Sequence, residues 1–160
     1  MPPSGVSVFV VPGEGEETGP RDHLLLLADC SRDDWAELLA NTEPMRVNAG
    51  DLVIAAGEVD RSLYFLTEGT LEVVGAGPGR HRRHIRINAG SVVGEQAFLD
   101  SRPRSAEVRA VIDCELLRLS TKGFDRLAAS NPRLAQSILF DLGRILSLRL
   151  RRAVAVGPVG

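Results

Sequence analysis

Gly90-Ser91-Val92-Val93-Gly94-Glu95-Gln96-Ala97-Phe98-Leu99-Asp100-Ser101-Arg102-Pro103-Arg104-Ser105-Ala106-Glu107-Val108-Arg109-Ala110 is the stretch from which the rest of the chain is read. An extended segment ends at Gly94, Glu95 to Leu99 has room for one helical turn at most, the chain loops through Pro103, and a strand begins at Arg104. Such a turn leaves backbone N–H groups unpaired at its start, and Gly94 has no Cβ to hold an anion away from them. Arg104 offers a planar, charged fork suited to phosphate oxygens, and Ser105 adds one neutral donor. Glu95 is the odd member. A carboxylate at the mouth of an anion site repels phosphate unless it accepts hydrogen bonds, from a sugar hydroxyl or from the arginine. A ligand with one phosphate charge and a free ribose hydroxyl meets both demands.

Around this stretch, Met45 to Leu119 shows short apolar runs broken every eight to twelve residues by Gly, Asn or Asp, the rhythm of a compact antiparallel β-structure. Strands are expected at 45–48, 51–56, 62–67, 70–76, 82–88, 105–112 and 114–119. Thr67-Glu68-Gly69-Thr70 reads as a hairpin between Tyr64-Phe65-Leu66 and Leu71-Glu72-Val73. The tripeptide Asn-Ala-Gly occurs at 48–50 and again at 88–90, before an apolar run each time. This repeated corner suggests a roll or barrel. Arg80-His81-Arg82-Arg83-His84 reads as a solvated hairpin tip.

Helical patterning flanks the β region. Ser31 with Asp34 three residues later has the reciprocal capping pattern, and Trp35, Leu38 and Leu39 form one apolar stripe, so a short helix is expected over 32–40. Thr121 to Ser130 and Pro132 to Ala153 return to helical period, the second with Asn131 as N-cap and Pro132 in first position. On that last helix Ala135, Leu139, Leu142, Leu146 and Ala153 fit a near-heptad seam, and the apolar face has three uses open to it, packing on its own roll, on a second copy or on both; a homodimer is favoured over a monomer whose terminal helix folds back. The expected division is a tail over 1–22, a domain over 23–153 and a short tail over 154–160.

Composition narrows the classes. The 160 residues carry a net charge of −2, so there is no global basic field for nonspecific nucleic-acid binding. The apolar runs Leu24 to Ala28 and Val53 to Ala56 are far below the roughly 20 residues of a bilayer span, and the N-terminus does not resemble a secretory signal. A cytoplasmic location is expected. Cys30 and Cys114 lack metal or disulfide spacing and read as small hydrophobes; His23, His81 and His84 have no matching ligands, so no metal is expected. No nucleophile stands at usable spacing from a base, so the chain reads as a non-enzyme without cofactor.

Val93-Gly94-Glu95, followed by Pro103-Arg104-Ser105-Ala106 and Val108-Arg109-Ala110, closely resembles the phosphate-binding cassette of cyclic nucleotide-binding domains. The likeness extends over about 25–152 and is specific at the cassette. It implies a mainly β fold with flanking helices: an eight-stranded jelly roll with one N-terminal and two C-terminal helices, often dimerising along the last. It also implies that Gly94 and Glu95 hold the ribose 2′-hydroxyl side, that Arg104 and Ser105 hold the cyclic phosphate, and that Ala97 turns its backbone toward the ligand. Gln96 departs from the usual aliphatic residue and can either hydrogen-bond locally or loosen packing beneath the ligand. Where some relatives carry hydroxyl residues that read adenine, this chain has Leu148-Arg149-Leu150, so Arg149 either stacks on a purine or has no ligand role.

The expectation is a sensor of a cyclic purine mononucleotide, cyclic AMP favoured over cyclic GMP, that signals through its C-terminal helix as a homodimer with an unidentified downstream protein. Neither direct DNA binding nor a membrane association is expected. Two alternatives stand beside it: a nucleotide-free dimerisation or interaction scaffold, and a regulatory fragment of a larger transcription factor, channel or transporter.

Overall fold

The computed structural model describes residues 30–76 and 82–155. Helix α1 (Arg32–Ala40) leads into β1 (Glu43–Val47), β2 (Leu52–Ile54), β3 (Leu63–Glu68), β4 (Thr70–Ala76), β5 (Arg82–Asn88) and β6 (Val92–Val93). A short helix α2 (Glu95–Asp100) precedes β7 (Ala106–Ala110) and β8 (Cys114–Leu119), and α3 (Thr121–Ser130) and α4 (Pro132–Ala155) close the chain. The eight strands form two antiparallel four-stranded sheets, ordered β1-β8-β3-β6 and β2-β7-β4-β5. This is the expected jelly roll with flanking helices. The Val6–Val11 segment, His23, Arg80 and His81 lie outside the described residues; Arg82, Arg83 and His84 belong to β5.

The expected hairpin at Gly69 is overturned. β3 pairs with β6 and β8, whereas β4 pairs with β5 and β7, so the turn carries the chain from one sheet to the other. Both edges of β3 are already occupied, which leaves β4 no ladder to join. A side chain at Gly69 would stand 2.5 Å from Cys114 Sγ and 2.7 Å from the Asp113 carbonyl, so the tightness of this crossing excludes a Cβ. The two Asn-Ala-Gly corners do the same work. At Gly50 the chain passes from β1 to β2, at Gly90 from β5 to β6, and each passage switches sheets through a left-handed glycine. Among the described strands, only β4 and β5, in register from Thr70↔Asn88 to Ala76↔Arg82, follow one another as paired neighbours.

Burial follows from this layering. Tyr64, Leu66, Val93, Cys114 and Leu116 face the second sheet, where they meet Ile54, Leu71, Ile87 and Val108. Leu63, Phe65, Val92, Leu117 and Leu119 point the other way, against Trp35 and Leu38 of α1, Leu127 of α3, and Leu134, Ile138, Leu142 and Ile145 of α4. The sheet holding β3 is thus covered on both faces, which is why Leu63-Tyr64-Phe65-Leu66 is a continuous apolar run. Two residues of the seam expected on the last helix pack on the protein's own roll instead of standing free for a second copy: Ala135 and Leu142 are buried within the core, while Leu139 is exposed. No helix among the described residues is long and apolar enough to cross a membrane.

One polar cluster fixes the helices to each other. Asp34 N–H donates to Ser31 Oγ at 3.1 Å, completing the α1 cap, while the buried Asp34 carboxylate accepts from Asn131 Nδ2 at 3.0 Å and from Arg133 Nη2 at 3.1 and 2.9 Å. Asn131 also caps α4, its Oδ1 accepting from Leu134 N–H at 3.1 Å. Burial by itself would raise the Asp34 pKa, but hydrogen bonds from Asn131, Arg133 and Ser31 and the Arg133 charge outweigh it and hold the carboxyl below its usual range. A depressed folded-state pKa stabilises the fold above the unfolded value, and that contribution is lost as pH falls through the folded one. Asp34→Ala should therefore lower the unfolding free energy by about 1–3 kcal/mol at neutral pH. In chemical denaturation series the gap between variant and parent should narrow as the pH is taken below the normal aspartate range.

Candidate functional site

The cassette lies where β6, α2 and the entry to β7 meet the start of β3. Gly94 is the N-cap of α2, with φ 84° and ψ 9°, a left-handed conformation that turns the chain sharply out of β6. Its missing Cβ is needed for a second reason. A Cβ there would lie 2.7 Å from Arg104 Nη1 and 2.8 Å from the Ser62 carbonyl oxygen.

Arg104 fills that space. Only 5% of it is exposed, and its guanidinium donates from Nη1 to the Gly94 carbonyl at 3.0 Å and from Nη2 to the Ser62 carbonyl at 2.7 Å. Nη2 also stands 3.2 Å from Asp60 Oδ2, and Cζ lies 6.0 Å from the centre of the Tyr64 ring. The buried Nε–H has no partner. Asp60 in turn accepts from both the backbone and the hydroxyl of Ser62. Burial opposes its ionisation, but those bonds and the contact with Arg104 outweigh it and keep the Asp60 pKa below the usual range.

Glu95, 8% exposed, engages a different arginine from the one its position suggests. Arg149 of α4 places Nη1 2.7 Å from Glu95 Oε1 and donates from Nη2 to the Val92 carbonyl at 2.9 Å and to Ser91 Oγ at 3.2 Å. The last helix is thereby fastened to the cassette by one side chain. On the other flank, Ser105 Oγ donates to Gln96 Oε1, the first of the two alternatives open to Gln96. Ala97 is buried against the core, and the Phe98 ring meets Phe124 of α3 edge-on at 5.4 Å.

An apolar strip adjoins Ser105. The facing residues Leu71↔Ala110, Val73↔Val108 and Gly75↔Ala106 share the inner side of β4 and β7, with Ile87 and Ile85 next to them on β5. Ile87 is 2% exposed but Ile85 is 51% exposed, so the roll opens toward the cassette end. A Cβ at Gly75 would meet nothing within 4 Å. The strip therefore offers a planar apolar group open space next to a cationic anchor.

Sequence reading thus placed Gly94, Glu95, Gln96, Arg104, Ser105 and Arg149 in what proves to be one neighbourhood, but it missed Asp60, Ser62, Tyr64 and Ser91. Asp60 and Ser62 stand more than thirty residues upstream at the mouth of β3. An Asp-x-Ser before an apolar run is an ordinary loop end, so local pattern held no signal for them.

Residues 44–131 match the family model described as the cyclic nucleotide-binding domain. The chain belongs to this family. A cyclic nucleotide-gated potassium channel from Rhizobium etli is 33% identical over 102 residues, 64% of this chain and 27% of that protein. The human potassium/sodium hyperpolarization-activated cyclic nucleotide-gated channel 3 is 35% identical over 88 residues, 55% of this chain and 11% of that protein. The chain spans about a quarter of the length of the bacterial channels it matches. Among solved structures, a cyclic nucleotide-binding domain from Methylobacillus flagellatus superposes with a TM-score of 0.75 at 21% identity, covering 87% of this chain and 82% of that one. The catabolite activator protein of Thermus thermophilus gives 0.69 at 24%, covering 79% and 58%. At these identities the structural likeness establishes the fold.

The double demand on Gly94 is open to test. Gly94→Ala should destabilise the domain by about 1–3 kcal/mol, the scale of a residue strained into the left-handed region. Gly94→Asn, which tolerates that conformation better but keeps the clash, should recover little of the loss in denaturant unfolding. Full recovery with Asn would show that conformation alone matters.

Proposed function

We propose that this domain is a non-enzymatic sensor that binds a cyclic purine mononucleotide, cyclic AMP in preference to cyclic GMP, and signals through α4. One observation carries the proposal: Arg104 is buried inside the cassette with an N–H that meets no acceptor. An unmet buried donor on a charged group costs about 1–3 kcal/mol or more, a deficit that an arriving phosphate oxygen removes. Gly94 and Glu95 are assigned to the ribose side, Arg104 and Ser105 to the cyclic phosphate, and the backbone of Ala97 to the same turn. Arg149 is assigned to the ribose side through Glu95 rather than to the purine face.

The strip of Val73, Gly75, Ile85 and Ala106 suits a purine ring and supports the preference for adenine. These side chains have no polar group to pair with the extra amino and oxo groups of guanine, which would lose water without compensation. Several relatives are named as cyclic nucleotide-gated channels and one as a cAMP-dependent protein kinase regulatory subunit, consistent with a regulatory part of a larger assembly. A ligand-free scaffold has one observation in its favour, the carboxylate of Asp60 already 3.2 Å from Arg104.

Titration calorimetry separates the two. Cyclic AMP should bind, cyclic GMP more weakly, a 2′-deoxy analogue more weakly still than its parent, and Arg104→Ala should weaken binding by about 2–5 kcal/mol. Undiminished affinity in that variant removes Arg104 from the site; no binding of either nucleotide to the parent protein leaves the scaffold.

Homodimerisation is proposed along the outward face of α4. Leu139, Phe140, Leu150 and Val154 are exposed there, and Gly143, whose absent Cβ would touch nothing within 4 Å, serves no packing need inside the monomer. A helix-interior glycine costs about 1 kcal/mol relative to alanine, and a closely approaching second helix would account for it. Light scattering should find a dimer that Leu150→Glu converts to monomer without loss of helicity. A parent protein monomeric at high concentration would end this part of the reading.

A further inference from the structure

We infer that Arg118 is a positioning residue of the phosphate site: it holds Asp60 from the side away from Arg104 and leaves the site the net positive charge that one phosphodiester requires. The inference rests on the sensor reading above. Arg118 is the middle member of a cross-strand row, opposite Glu43 of β1 on one side and Tyr64 of β3 on the other. Members of one row share a sheet face, and Tyr64 belongs to the face that looks into the roll. Arg118 therefore stands near the mouth of β3, outside the cassette itself. It donates a hydrogen bond to the Tyr64 hydroxyl, and its Nη2 lies 4.0 Å from Asp60 Oδ1. The other oxygen of that carboxylate, Oδ2, is the one 3.2 Å from Arg104 Nη2. One carboxylate thus stands between two guanidinium groups, and the buried Tyr64 side chain touches Arg118 with its hydroxyl and faces Arg104 with its ring.

Counting charge shows what the arrangement does. Arg104 and Asp60 by themselves cancel, and an anion reaching that pair would meet no net attraction. With Arg118, two cations less one anion leave a single positive charge. Glu43 lies 3.3 Å from Arg118, but its side chain is 72% exposed and water screens it, whereas the Asp60 side chain is 28% exposed. Glu95 is already matched by Arg149. A single positive charge suits a cyclic phosphodiester, which carries one negative charge, and undercompensates a phosphomonoester such as 5′-AMP, which carries roughly two at neutral pH. Asp60 in this arrangement trims the site to a monoanion instead of filling it.

Calorimetry on the full chain with cyclic AMP and 5′-AMP tests this with near-isosteric variants. Arg118→Gln keeps a donor for Tyr64 but loses the charge, and should weaken cyclic AMP binding about three- to tenfold, the scale of one charge acting across a partly solvated site. Arg118→Lys, which keeps the charge, should recover most of that loss. Asp60→Asn raises the local charge and should lower the preference for cyclic AMP over 5′-AMP severalfold. The double variant Asp60→Asn with Arg118→Gln restores a single positive charge, so it should bind cyclic AMP more tightly than Arg118→Gln alone; an arginine that only supports the fold would give additive losses instead. Parent-like binding in Arg118→Gln, or a double variant no tighter than Arg118→Gln, overturns the assignment. Without any nucleotide, the Asp60 carboxyl followed by carbon NMR should titrate at higher pH in Arg118→Gln than in the parent, and an unchanged titration also overturns it. A parent chain that binds no cyclic nucleotide removes the sensor reading, an outcome distinct from a parent that binds and an Arg118→Gln variant that binds equally well.

Discussion

A buried guanidinium is costly in this fold unless most of its N–H groups are met, and the way Arg104 is met organises the site. Its contacts with the Gly94 and Ser62 carbonyls and with Asp60 tie the start of β7 to the turn after β6 and to the mouth of β3. The mouth of β3 lies more than thirty residues before the other two segments, and the three have no common ladder at that point. Without the charge between them, the Gly94 carbonyl and the Ser62 carbonyl would be acceptors facing a void. The same desolvation that makes the charge costly makes each bond to it strong, and it leaves the one unpaired N–H as a high-energy feature.

The second organising feature is the fastening of α4. Its inner face packs on the sheet holding β3 through Leu134, Ile138, Leu142 and Ile145, and one turn beyond that apolar contact Arg149 reaches Glu95. A group that bonds to Glu95 alters what Arg149 experiences, and a shift of α4 alters what Glu95 presents. Linkage requires that these effects be equal in free energy in both directions. At its N-terminus α4 is anchored separately by Asn131 and Arg133 to Asp34, so the helix has polar attachments near both ends. Phe98 against Phe124 adds a second route from the cassette turn into α3.

Much of this was legible from local chemistry. Capping residues placed α1 and α4 within two residues of their ends; the broken apolar rhythm placed seven strands; and Gly94, Glu95, Arg104 and Ser105 in order carried the family resemblance. The two-residue β6 has no pattern of its own, because two valines cannot show a period. The supposed hairpin at Gly69 failed for a different reason. A glycine turn between apolar runs fits both a paired hairpin and a crossing between sheets, and only the partners of β3 distinguish them.

The sequence by itself determined the class of fold, the position of the cassette turn and the types of residue that line it, because backbone conformation, capping and charge act over a few residues. Tertiary structure decided the partners: Arg104 with Asp60 and Ser62, Glu95 with Arg149 rather than Arg104, Gln96 with Ser105, and the burial of Ala135 and Leu142 in the core rather than at a seam. Apart from the nine-residue step from Gln96 to Ser105, each of these joins segments whose separation the jelly-roll crossings bridge. Which donor meets which acceptor across such a gap depends on the packing of two sheets and four helices at once, and no short window of residues contains that information.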